Sequence, residues 1–377
     1  MRSSGVAPLT DYMMNISSQM EIPISGTFEL TPMCNFHCKM CYVRKSSEEV
    51  ERHDRPMLTL EQWLRIAEEA RQEGMLFLLL TGGEPLSWPY FWELYEALIH
   101  MGILVSINTN GSLIDDQAIE RFRKLPPKKI NITLYGASDE TYEQLCGMKG
   151  MYRRVTHAIE GLKAVGIVVK LNCSLTPHNV DDLEEMVTYA KERQLILDVA
   201  SYMFPPMRRD ERQIGQNAHR FTAREAAYYR LKTYRLQYGE ERYLDYLRGI
   251  LEGYVPPPGL DEYCEDPIDG RIRCRAGKAS FWITWDGWNT PCGMMTSPMI
   301  ELVGRSFQDS WQELTGISRE MKLSGVCHSC KNQQICHSCA AMALTETGSH
   351  GGIPVYLCQM VEAMKEIAQE ELDKMDL

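Results

Sequence analysis

The stretch Thr27-Phe28-Glu29-Leu30-Thr31-Pro32-Met33-Cys34-Asn35-Phe36-His37-Cys38-Lys39-Met40-Cys41 is the most telling part of this chain. Residues 27–30 read as a short, mainly apolar strand, and three cysteines follow as C-x3-C-x2-C. Three thiolates on one tight loop can hold three irons of a 4Fe–4S cluster and leave the fourth iron without a protein ligand. An open iron can bind and activate a small molecule, so the loop suits catalysis better than plain electron carriage. A zinc loop is the alternative, but zinc sites more often pair C-x2-C knuckles to reach four ligands.

Composition narrows the class. The chain has 377 residues, 44% apolar and 24% charged, enough for one large domain and a smaller one. A net charge of −11 argues against nucleic acid as a partner, because phosphate binding needs a basic face. The longest apolar run, 75–80, is too short to cross a bilayer, and the N-terminus has no signal-peptide pattern. The expectation is a cytoplasmic protein with no membrane partner. Thirteen cysteines in that compartment point to metal rather than disulfides.

Residues 1–24 lack a strong period and read as an N-terminal extension. Over 25–204, apolar strands alternate with amphipathic helices. The strands fall at 27–30, 77–80, 104–108, 130–135, 168–175 and 196–201. Helical stretches are expected from Thr59, with Gln62 completing a capping box, and over 90–101, 115–123, 152–164 and 181–193. This α/β pattern implies a parallel sheet with ligands at the C-terminal strand ends, where the three cysteines lie. Residues 205–260 form a helical bridge, with one long helical pattern over 222–252 and a Pro-Pro-Pro-Gly break at 256–259. Residues 261–360 are cysteine-dense and irregular, and 361–377 belong to a C-terminal helix.

The second strand ends in Thr81-Gly82-Gly83-Glu84-Pro85. Paired glycines let backbone groups approach a ligand closely, and a carbonyl or carboxylate there can accept a hydrogen bond from an ammonium group. Asn110, in Asn-Thr-Asn-Gly, ends the third strand. Cys173 neighbours Asn172 and so faces the other side of its strand, as core packing. Cys146 reads as a loop residue. Met207-Arg208-Arg209 and Arg212 read as a solvated edge or as a binding strip for an acidic peptide.

A second cysteine array occupies the C-terminal third: Cys264, Cys274, Cys292, Cys327, Cys330, Cys336, Cys339 and Cys358. Eight thiolates match two fully ligated 4Fe–4S clusters, or two zinc ribbons. Between Cys274 and Cys292, Asp286-Gly287 signals a hairpin turn. Trp282, Trp285 and Trp288 read as apolar cover for a cluster.

The cysteine loop strongly resembles that of the radical S-adenosylmethionine (SAM) superfamily, and the second array resembles the SPASM domain of its peptide- and protein-modifying members. The resemblance implies a partial (β/α)6 barrel followed by a small iron–sulfur domain. It implies that Cys34, Cys38 and Cys41 hold the cluster whose open iron chelates SAM, giving a 5′-deoxyadenosyl radical. Met40 stands where relatives usually place an aromatic residue near the adenine, with Tyr42 beyond the third cysteine. Gly82, Gly83, Glu84 and Pro85 match the turn that contacts the SAM amino group. Asn110, Thr133 and Asn172 would supply further polar SAM contacts, and Arg153 or Arg154 could pair with its carboxylate. By the same resemblance, Cys264, Cys274, Cys292 and Cys339 would hold a nearer auxiliary 4Fe–4S cluster, and Cys327, Cys330, Cys336 and Cys358 a farther one. Cys336 and Cys339 are closer in sequence than the usual pattern, and Cys264 is farther from Cys274.

These features together imply a cytoplasmic radical SAM/SPASM enzyme that oxidatively modifies, and crosslinks, a ribosomally made peptide. The electron donor would be a flavodoxin or ferredoxin. Fewer than 30 residues precede the first strand, so leader recognition is expected from a separate protein or another surface. Sulfatase maturation is a weaker alternative, because such enzymes carry aspartate where this chain has Gly293. Small-molecule oxidation, of a sugar or porphyrin, is another. A non-catalytic iron–sulfur carrier would have no need of the glycine–glycine–glutamate turn.

Overall fold

The computed structural model describes residues 9–253 and 274–375. Six parallel strands come first: β1 (Ser25–Glu29), β2 (Phe77–Thr81), β3 (Leu104–Thr109), β4 (Lys129–Thr133), β5 (Val169–Ser174) and β6 (Ile196–Ala200). They pair in sequence order, with helices in the crossovers. The second region adds to the same sheet. β7 (Ser280–Ile283) lies parallel to β1, and β8 (Trp288–Thr290) and β9 (Ile300–Glu301) continue antiparallel.

The alternation of side chains explains the two faces. Phe28, Leu30, Leu78, Leu80, Val105, Ile107, Ile130, Ile132 and Leu171 are buried in one apolar core with helix residues such as Trp63, Leu94, Phe122 and Ile159. The opposite face carries Glu29, Thr81, Ser106, Asn108, Asn131, Thr133 and Asn172. A parallel sheet covered only by helices would be apolar on both faces. This one keeps a polar face, along which Asn131 Nδ2 donates to Asn108 Oδ1 at 2.7 Å.

The capping box at Thr59 forms with Gln62 as expected. Four expectations change. The 222–252 pattern is two helices, Ala223–Tyr238 and Glu240–Glu252, broken where Gly239 adopts a positive φ. The N-terminal stretch contains a helix, Leu9–Met20. Phe307–Glu320 is a regular helix inside the cysteine-rich region, burying Phe307, Trp311 and Leu314 at helical spacing. Cys146 ends the helix Asp139–Cys146 and is fully buried rather than on a loop. The proline break at 256–259 and Cys264 lie outside the described residues. Among the described residues no helix is long and apolar enough to cross a membrane.

Candidate active site

The loop after β1 is locked onto the end of β2 by backbone contacts. Gly83 N donates to Thr31 O at 2.6 Å, and Glu84 N donates to Met33 O at 2.9 Å. A Cβ on Gly83 would sit 2.2 Å from the Met33 carbonyl oxygen, and one on Gly82 2.5 Å from that of Thr31. The two glycines therefore serve the approach of the cysteine loop itself, besides any ligand. Glu84 is fully buried and turns inward. It accepts from Leu86 N, Thr109 Oγ1 and Asn110 N at 3.1, 2.8 and 2.8 Å. Its carboxylate thus ties the end of β2 to the end of β3. Pro85 begins the short turn Pro85–Ser87 and is buried.

Donors surround the three loop sulfurs. Phe36 N lies 3.3 Å and Asn110 Nδ2 3.7 Å from Cys34 Sγ, and Arg44 N lies 3.3 Å from Cys41 Sγ. Asn110 Nδ2 also donates to Asn35 Oδ1 at 2.9 Å, and Asn110 Oδ1 accepts from Ser112. Asn110 is therefore a brace for the cysteine loop, with its polar atoms already engaged. The Cys38 thiol is pulled down, first by a side-chain hydrogen bond with Cys146 and further by Tyr135. Sequence reasoning passed over Tyr135 and treated Cys146 as a bystander. Burial pushes the Cys34 thiol up to about 12, and burial also raises Cys41. Among the described residues no three His, Cys, Asp or Glu side chains are closed up as a cage for a single metal ion. A four-iron cluster takes one thiolate per iron, which calls for a wider set. Soft sulfur donors on one loop, each supplied with hydrogen-bond donors, fit such a cluster.

Thr133 and Asn172 are register partners at the C-terminal ends of β4 and β5, on the polar face. Met40 is buried, and Tyr42 is half-buried with Arg208 lying 6.0 Å from its ring centre. Arg153 and Arg154 go elsewhere. They lie on the solvent stripe of the helix Met151–Ala164, where Met151 and Val155 take the buried stripe. Arg153 is 89% exposed and faces Asp139 at 3.8 Å. Cys173 is buried in the core, as expected, where burial pushes its thiol up to about 12.

Arg208 overturns the solvated-edge reading. It is 12% exposed and grips the fully buried Glu29 with two nitrogens, while donating to Gly293 O at 2.9 Å. Trp282 Nε1 donates to the same carboxylate at 3.0 Å. A Cβ on Gly293 would lie 2.6 Å from the Trp282 indole, so this position has no room for a side chain. Of the three tryptophans, Trp282 is thus the one packed against the residue next to Cys292. Trp285 meets His53 edge-on at 4.8 Å, and Trp288 lies under Arg55 at 4.4 Å, so both anchor the hairpin to residues 53–58. The Asp286-Gly287 turn forms, with Gly287 in a positive-φ conformation.

The remaining cysteines sort into two neighbourhoods. Burial pushes Cys339 up to about 11, with Cys274 and Cys292 adding to the rise. Burial likewise raises Cys327, with Cys358, Cys336 and Cys330 contributing. Cys358 lies in the first turn of the helix Val355–Asp373, where burial raises its thiol and Cys330 adds to the rise.

Residues 28–190 match the profile of the radical SAM superfamily. The AdoMet-dependent heme synthase of Methanosarcina barkeri is 27% identical over 184 residues, 49% of this chain and 52% of that protein. The sporulation killing factor maturation protein SkfB of Bacillus subtilis is 23% identical over 317 residues, 84% of this chain and 70% of its own length. Several other curated relatives are matched over less than half of their own length. Streptococcus suis SuiB bound to precursor peptide SuiA shares the fold, with a TM-score of 0.64 and 18% identity over 93% of this chain and 80% of SuiB.

Proposed function

We propose that this chain is a radical SAM enzyme that oxidatively modifies a ribosomally made peptide, forming a carbon–carbon or thioether crosslink. Cys34, Cys38 and Cys41 would hold the SAM-binding 4Fe–4S cluster. Cys274, Cys292, Cys339 and Cys264 would hold one auxiliary cluster, and Cys327, Cys330, Cys336 and Cys358 the other. The supporting observation is that the described C-terminal thiols act on one another in two groups, Cys274 and Cys292 on Cys339, and Cys330, Cys336 and Cys358 on Cys327. When bound, SAM and its cluster supply a radical able to take hydrogen from an unactivated carbon.

The chain's own residues would do the rest. The Gly82–Gly83 backbone, Thr133 and Asn172 would position SAM on the polar face. Tyr135, Cys146 and Asn110 would tune the cluster sulfurs. Arg208, Glu29 and Trp282 would hold the SAM loop and the Cys292 loop in fixed relation. A flavodoxin or ferredoxin would supply the electron, and a separate protein could present the peptide leader. The filled space at Gly293 counts against sulfatase maturation.

The heme synthase match supports small-molecule oxidation as a second reading, though it covers half of this chain, whereas the match to a peptide maturation protein runs beyond the six parallel strands. The test is anaerobic reconstitution of wild type and a triple Cys34, Cys38, Cys41→Ala variant. Wild type should convert SAM to 5′-deoxyadenosine and remove two hydrogens from its precursor peptide. The variant should lose both activities and keep the remaining iron. Cleavage surviving in the variant would refute the assignment.

A further inference from the structure

A cavity of about 490 Å³ opens between the cysteine loop and the 205–219 segment. Lys39, Met40 and Cys41 form one wall, and Arg209, Asn217 and His219 the other. Of the residues expected near SAM, Met40 lines it, while Gly82, Gly83, Thr133 and Asn172 do not. Its charge is uneven. Arg212 is spent on Asp210, which it meets at 2.9 and 3.0 Å. Glu49 also lines the cavity; its carboxylate caps the helix Ser47–Glu51 through Ser46 N at 2.6 Å and stays charged, favoured first by that bond and further by Lys45 and Arg209.

Lys39 and Arg209 are exposed, and among the described residues neither is within ion-pair distance of a carboxylate. They reach the cavity from different segments and act on one point. Both push the His219 imidazole down, after burial itself, and Lys39 does the same to His178. His178 Nε2 and His219 Nδ1 are 3.1 Å apart, so the two rings brace the wall between the cations. With Arg212 held by Asp210, the lining sets Lys39 and Arg209 against Glu49, and on a chain of net charge −11 this local excess of positive charge marks a site for a negative group.

We propose that this cavity is a recognition pocket for a carboxylate-bearing residue of the substrate peptide, held between Lys39 and Arg209. The proposal rests on the peptide-modifying reading. A concave pocket of this size suits one side chain of an extended peptide better than the flat face of an acidic electron-donor protein. A fork of guanidinium nitrogens and a mobile ammonium together can satisfy both carboxylate oxygens.

The test uses the anaerobically reconstituted protein and two fluorescent pentapeptides, identical except that one carries Glu where the other carries Gln. Anisotropy should show the Glu peptide binding about tenfold tighter, the scale of a charge-assisted contact, with the preference falling as salt rises. Arg209→Gln and Lys39→Gln should each shrink the preference, while Arg209→Lys and Lys39→Arg retain it. Equal binding of the two peptides, or a preference that survives both Gln variants, would overturn the pocket. Displacement of the Glu peptide by SAM would assign the cavity to SAM and overturn it as well. If the Gln variants slow SAM cleavage driven by a flavodoxin but not by dithionite, and peptide preference is unmoved, the patch serves the electron donor instead. The peptide reading fails separately: N-acetylglutamate amide binding as tightly as the pentapeptide would keep the pocket and remove the peptide.

Discussion

Arg208 grips both carboxylate oxygens of Glu29, at 2.7 and 2.8 Å, in the interior of the protein. Through that pair the segment after β6 is joined to the end of β1, just before the cysteine loop. The same guanidinium holds Gly293 O, beside Cys292. One ion pair therefore spans the two cysteine regions.

Breaking this pair from one side should be costly. Glu29→Gln or Arg208→Met leaves a buried charge without its partner, an expected loss of about 3–5 kcal/mol each. The double variant should be much less destabilised than the sum, because both charges leave together. Chemical denaturation of all four proteins closes the cycle, and additive losses would contradict the coupling.

Gly83→Ala should damage the cysteine loop as well as SAM binding. The new methyl would overlap the Met33 carbonyl, and strain of this kind costs about 1–3 kcal/mol. Iron bound by the loop should fall together with SAM affinity. Full iron content with weakened SAM binding would show that the glycine serves the ligand alone.

Glu84 should make stability depend on pH. Burial pushes its carboxyl up to about 7 from 4.5, against the bonds from Asn110, Thr109 and Leu86. Between those values the folded protein holds a proton that the unfolded chain has released. The contribution of this group is therefore greatest at and below 4.5 and is lost as pH rises through about 7. Relative to Glu84→Gln, wild type should lose denaturation free energy as pH climbs through this window. A constant difference would contradict the raised carboxyl.

Cys146→Ala should leave the loop iron in place and make its cluster harder to reduce. A sulfur that loses a hydrogen-bond donor carries more negative charge, which disfavours the added electron. Redox titration followed by electron paramagnetic resonance reads the shift. An unchanged potential would make Cys146 a packing residue.

Changing Cys327 and Cys330 to alanine tests the electron path. If the farther cluster carries electrons from a substrate radical, SAM should still be cleaved while product per 5′-deoxyadenosine falls sharply. Circular dichroism checks that the domain remains folded. Both activities falling with the folded signal would mark the cluster as structural.

Much of this site could be read locally. The C-x3-C-x2-C spacing, the glycine pair and the Thr59 capping box depend on neighbours within a few residues, so their chemistry is written in consecutive letters. The polar and apolar faces of the sheet follow in the same way from strict alternation along each strand. Other roles depended on which distant segments meet. Nothing next to Arg208 announces Glu29, which lies 179 residues away, and an arginine beside an arginine reads as surface until its partner is placed. Cys146 looked idle until its helix carried it to Cys38. Asn110 gains a role that its strand-end position did not announce, because its side chain braces the cysteine loop. Arg153 and Arg154 looked available to a carboxylate until the helix turned them to solvent. Spacing along the chain settles which groups can act together locally, whereas burial and pairing across the fold settle which charges remain free to meet a ligand.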